Sequence, residues 1–99
     1  MQTELEGALQ WAEEGLQEGW LAINGESEPA SHGAKISELY SLYTLWERHQ
    51  GTKNTIGRQT FSKVLQTRYG PTAVSMGTRL PRVAIERSKL SVEQEIALA

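Results

Sequence analysis

Arg58, Gln59, Ser62, Lys63, Gln66 and Thr67 form a dense polar set in the sequence. Placed 100° apart on a helix, Gln59, Lys63, Gln66 and Thr67 share one side, flanked by Arg58 and Ser62. Amide and cationic side chains have the donor and acceptor geometry that suits base edges in a major groove, and Ser and Thr hydroxyls suit phosphates. Arg79 and Arg82, on either side of Leu80-Pro81, add two more cations. Solvated helix faces usually mix Glu with Lys, yet residues 48–85 contain no acid at all. The chemistry implied is recognition of a polyanion. Lys63, Gln59 and Gln66 would read or line a major groove, Arg58, Ser62, Thr67 and Arg68 would hold phosphates, and Arg79 and Arg82 would enter a groove.

Several elements must position these groups. Residues 54–70 read as a helix that begins near Thr55–Gly57 and ends at Gly70-Pro71, with Phe61, Val64, Leu65 and Tyr69 inward. Residues 73–76 and 83–85 read as two strands of a hairpin joined by residues 77–82, which puts Arg79 and Arg82 near its tip. Pro81 belongs in such a loop, where its missing N–H breaks no ladder. Upstream, residues 35–51 form a helix capped by Ser37, with Leu39, Leu42, Tyr43 and Trp46 inward and Gly51 as its stop. His49, in its last turn, reads as a surface residue. Residues 24–34, rich in Gly, Ser, Pro and Glu, form a loop that leaves His32 solvated.

Residues 3–24 carry Leu5, Ala8, Leu9, Ala12, Leu16, Trp20 and Ile23 at helical spacing, with Thr3 and Glu6 as a capping pair and Asn24-Gly25 as the stop. Gly7, Gly15 and Gly19 weaken this helix by roughly 1 kcal/mol each relative to Ala. It therefore relies on packing, either within the domain or against a second copy in a homodimer through residues 3–24. Residues 90–99 form a helical turn or two, or a tail.

Ninety-nine residues suit a single domain with one core. We divide the chain into an acidic helix and linker (1–34), a binding domain (35–90) and a C-terminal tail (91–99). Residues 1–34 hold seven acids and no Lys or Arg, residues 35–89 hold all ten basic residues against three acids, and residues 90–99 add two acids. Such asymmetry points to a polyanion partner for the basic part, although the two halves could also neutralise each other within one fold. The absence of cysteine fits a reducing cytosol. No run approaches the ~18–20 apolar residues of a membrane span, and the first ten residues lack signal-peptide character. A cytoplasmic location is expected.

Three stretches carry a family resemblance. "LYSLYTLW" (39–46) resembles the Leu-Tyr-x-x-Tyr start of RFX-type winged-helix domains. "FSKVLQTRYG" (61–70) is similar to their recognition-helix pattern, and "MGTRL" (76–80) to the Leu-Gly-Thr-Arg of their wing. The same skeleton resembles the C-terminal origin-binding domains of phage and plasmid primase-helicases. The resemblance covers residues 36–87 and implies an α+β, mainly helical fold: a winged helix of three helices plus a β-hairpin wing, preceded here by an amphipathic helix. It also implies binding of double-stranded DNA by the third helix and the wing, with Lys63 and Arg79 on matching positions. This chain departs from the pattern at Val74 and Ser75, where the family has further basic residues, and in a less polar second wing strand.

The expected function is sequence-preferring duplex DNA binding of phage or plasmid type, in replication initiation or transcription regulation. The alternative is a winged-helix protein-interaction module without direct DNA binding. An enzyme is not expected, nor a cofactor or metal. The sequence has no Gly-x4-Gly-Lys phosphate loop, His-Glu-x-x-His motif or nucleophile elbow. Glu13, Glu14 and Glu18 read as charges on a solvent face.

Overall fold

Gly15 and Gly19 decide where the first helix ends. The computed structural model describes residues 4–25, 29, 32–51, 56–74 and 77–99, the side chains of 4–6 excepted. Helix α1 spans Glu4–Glu18. It stops at Gly19, whose φ of +89° favours glycine and whose N–H donates to the Gly15 carbonyl at 3.0 Å. The chain then folds back, so that a Cβ on Gly15 would lie 2.8 Å from the Trp20 ring. Residues 19–24 are therefore not the end of a helix, as their spacing suggested. Leu21–Ile23 form strand β1. The expected Thr3 cap lies outside the described residues.

Strand β2 (Ala34–Lys35) leads directly into helix α2 (Ile36–Gln50). The expected Ser37 cap is absent. Lys35 holds the N-cap position without a side-chain bond, and the Ser37 carbonyl instead accepts the Ser41 hydroxyl at 3.0 Å. Gly51 ends the helix at φ +72°, as its sequence predicts. Leu39, Leu42 and Tyr43 are buried along the expected stripe. Glu47, one turn beyond Tyr43, is also buried, with Oε1 close beneath Gly7. Desolvation, and next the Glu47 carboxylate, raise the Tyr43 phenol above its ordinary pKa.

Helix α3 (Arg58–Tyr69) precedes strands β3 (Ala73–Val74), β4 (Thr78–Leu80) and β5 (Val83–Ile85). The hairpin partners differ from those expected. β3 pairs with β4, whereas β5 pairs with β1 through Leu21–Ile85, Ala22–Ala84 and Ile23–Val83. β2 adds to the other edge of β4, giving a three-stranded antiparallel sheet in the order β2-β4-β3. Asn24 explains how the β4–β5 turn is held. Its N–H donates to the Arg82 carbonyl at 2.8 Å, and its amide donates to the carbonyls of Pro81 at 3.1 Å and His32 at 3.3 Å. A 3₁₀ turn (Arg87–Lys89) leads to helix α4 (Val92–Leu98), which opens on a Ser91–Gln94 capping box and packs on α2.

The architecture is α+β and mainly helical. One core runs through both sides of residue 34, joining Ala8, Trp11, Ala12 and Trp20 to Leu39, Tyr43, Phe61, Leu65, Leu80 and Val83. Its centre is aromatic: the Phe61 ring lies 4.9 Å from Tyr43 and 5.5 Å from Trp11, centroid to centroid. Of the expected stripe, Ala8, Ala12 and Trp20 are thus buried within the chain and Leu16 is partly covered, whereas Ile23 is 53% exposed and the Leu5 side chain lies outside the described residues. No helix among the described residues is long and apolar enough to cross a membrane.

Candidate nucleic-acid interface

Phe61 and Leu65 anchor α3 in the core, with Val64 and Tyr69 partly covered beside them. That anchoring turns the opposite face outward. Arg58, Gln59, Lys63 and Thr67 are exposed, and Ser62 and Gln66 are half-buried. The Gln66 amide donates to the Ser62 hydroxyl at 3.0 Å, a spacing of four residues that aligns both along the helix. The Thr67 hydroxyl donates to the Lys63 carbonyl at 3.0 Å, which ties Thr67 to its own helix.

Arg58, Gln59, Ser62, Lys63 and Gln66 line one groove of about 570 Å³, closed by Ile36 and by Thr78 of β4. No acid faces it. Five of the residues expected to recognise a polyanion therefore meet at one place, and Thr78 joins them. Thr78 follows Gly77, whose φ of +109° makes the turn between β3 and β4. Lys35, at the end of β2, approaches Gly77 with its Cε 3.9 Å from the position a Cβ would occupy.

The remaining predicted residues lie elsewhere. Arg79 is not at a hairpin tip but within β4, opposite Lys35 on one side and Ala73 on the other. Leu80 is buried, so strand alternation places Arg79 on the opposite face of the sheet. Its Nη1 donates to the Gly33 carbonyl at 2.8 Å. Arg82 sits in the β4–β5 turn, near the end of α3, and lines a second groove of about 540 Å³ with Arg68, Tyr69 and Gly70. Arg68 reaches Glu13 of α1 at 3.7 Å; both are exposed, and such a pair contributes at most about 1 kcal/mol. Burial raises the Tyr69 phenol, an effect that neighbouring Arg68 opposes.

No family model, curated protein or solved structure matches this chain.

Sequence reasoning missed Lys35 and Thr78. The sequence places Lys35 at the start of a helix, because two residues of strand carry too little period to be recognised. Thr78 lies in residues 77–82, which the sequence reads as the connection of a wider hairpin. The histidines behave as expected of surface groups: His32 is exposed in its loop, and His49 is exposed, with Nε2 2.7 Å from Glu93. Glu14 departs from its assignment, because it is half-buried and its Oε2 is covered.

Proposed function

We propose that the chain is a winged-helix domain that binds double-stranded DNA, with α3 in the major groove and the β3–β4 hairpin as its wing. The reading rests on the groove that gathers Arg58, Gln59, Ser62, Lys63 and Gln66 with Thr78 and, among the described residues, no acid. The order of elements supports it: two helices, α2 and α3, follow α1 and β2, and the β3–β4 hairpin comes directly after α3. Lys63, Gln59 and Gln66 face the bases, while Arg58 and the Ser62 hydroxyl hold phosphates at the groove edge. Arg79 acts from the sheet beside Lys35 and not from the tip. Arg82, together with Arg68, faces the backbone further along α3. The biological setting is origin binding or transcription regulation of phage or plasmid type, in the cytoplasm.

Titration with random-sequence duplex DNA at several salt concentrations tests this function. Neutralising ~5–6 phosphates gives a log–log slope near −5. Lys63→Ala should weaken binding and reduce the slope by about 1 if it contacts a phosphate, or cost ~1–3 kcal/mol on preferred sites only if it reads a base. A protein-interaction module would leave random duplex unbound at low salt, and that result would remove the DNA-binding reading.

A further inference from the structure

Val74 is the most exposed of the large apolar side chains among the described residues, at 85%. A single exposed valine is ordinary on a protein surface; the position of this one is not. Val74 lies on β3, directly opposite Thr78 of β4 in antiparallel register. Residues paired in this way point to the same face of a sheet, with Cβ atoms ~4.5–5.5 Å apart. Thr78 shares its face with Leu80, two residues further along β4, which is fully buried in the core. Val74 thus belongs to the face that turns toward the helices, yet it stands beyond the edge of the core. Thr78 lines the groove with Lys63 and Gln66 of α3, so Val74 extends the rim of that groove outward along the hairpin. The other exposed apolar side chains lie elsewhere: Ile23 lines the second groove, and Val92 and Ile96 belong to α4, which packs on α2.

The surroundings of Val74 narrow what it can contact. Residues 48–85 contain no acid, so α3 and the hairpin offer no anion to a basic partner. The groove beside Val74 presents amides, hydroxyls and cations, which match the donors and acceptors of base edges and the charge of phosphates. An apolar side chain set in such a surface has one apolar counterpart on those edges, the C5-methyl group of thymine in the major groove. Branching at Cβ already restricts the Val74 side chain, so little rotamer freedom is lost when its methyls are held against another. Resting on the DNA-binding reading above, we propose that Val74 is a specificity residue that recognises thymine through its methyl group, at a base pair beside those faced by Lys63 and Gln66. The hairpin then contributes base selection as well as charge.

The full chain is first used to select its preferred site from a random duplex library. Each thymine of that site is then replaced singly by deoxyuridine, which removes only the methyl group. One such replacement should weaken binding by about fourfold, the ratio that one buried methyl group implies. Val74→Ala should bind the thymine site about as weakly as the parent binds the deoxyuridine site, and should no longer distinguish the two. Its melting temperature and its salt slope should equal the parent's, because the side chain packs on nothing and meets no phosphate. Val92→Ala, a like change on exposed α4, should behave as the parent throughout. A preferred site without thymine, equal binding of thymine and deoxyuridine at every position, or discrimination that survives Val74→Ala would overturn the proposal while leaving duplex binding in place. A loss from Val74→Ala that is the same on both sites would put the side chain against sugar and overturn it too. Absence of duplex binding altogether would overturn both this assignment and the function on which it rests.

Discussion

Lys35 of β2 and Arg79 of β4 stand directly opposite each other in antiparallel register, two cations on the sheet face that Leu80 does not occupy. Like charges in that position destabilise a sheet, by an amount comparable to the ~0.2–1 kcal/mol of a favourable cross-strand pair. The Gly33 carbonyl offsets part of this by accepting from Arg79. Lys35→Ala should accordingly leave the unfolding free energy unchanged or raise it by up to about 1 kcal/mol. The same change should weaken duplex binding and lower the salt slope by about 1. Urea unfolding and DNA titration read the two effects separately, and a variant that is less stable yet binds DNA normally would show that the pair is structural.

Glycines in α1 should respond with opposite signs. Gly7 has only ordinary contact with Glu47 at 3.5 Å, so Gly7→Ala should gain up to about 1 kcal/mol from helix propensity. At Gly15 a Cβ would meet the Trp20 ring at 2.8 Å and Leu21 Cβ at 3.1 Å. Overpacking of this kind costs ~1–3 kcal/mol, enough to exceed the propensity gain. Thermal unfolding should place the melting temperature of G7A above that of the parent and G15A below it, and equal shifts would contradict the packing of Trp20 against α1.

Removing residues 1–29 should abolish folding. Ala8, Trp11, Ala12, Trp20 and Leu21 would all leave the core. Truncating one buried Trp alone costs about 3–5 kcal/mol, against a total stability of ~5–15 kcal/mol for a typical domain. Circular dichroism and sedimentation of residues 30–99 should show an unfolded or aggregated chain. A folded monomer there would return α1 to the role of a separate dimerisation helix.

Alkaline pH should destabilise the fold through Tyr43. Its folded-state phenol is held above the unfolded value by desolvation first and by the Glu47 carboxylate next. A raised folded pKa means that the native state keeps a proton the unfolded state releases, so this stability is complete below pH ~10 and declines as pH rises beyond it. Tyr69 acts in the same direction. Urea midpoints measured from pH 8 to 11 should fall above pH 10, and Tyr43→Phe should flatten that fall.

The sequence by itself determined the elements whose evidence is local. The stripes Leu39-Leu42-Tyr43 and Phe61-Leu65 mark the inner faces of α2 and α3 because residues three and four apart share a helix side, and Gly51 and Gly70 mark their ends. Once Phe61 and Leu65 face inward, the placement of Arg58, Gln59, Ser62, Lys63 and Gln66 outward follows from helix geometry alone. Tertiary structure decided whatever depends on a partner distant in the chain. Gly19 and Gly25 offer similar stops, and the choice between them depends on Leu21–Ile23 finding β5. That pairing releases β4 to β3 and β2, which moves Arg79 from a loop tip into a strand opposite Lys35 and brings Thr78 to the groove beside α3. The covering of Glu14 likewise arises only where α1, α2 and α4 close around the tryptophans. Strand pairing and cavity formation join residues with no periodic relation in sequence, so no local pattern could announce them.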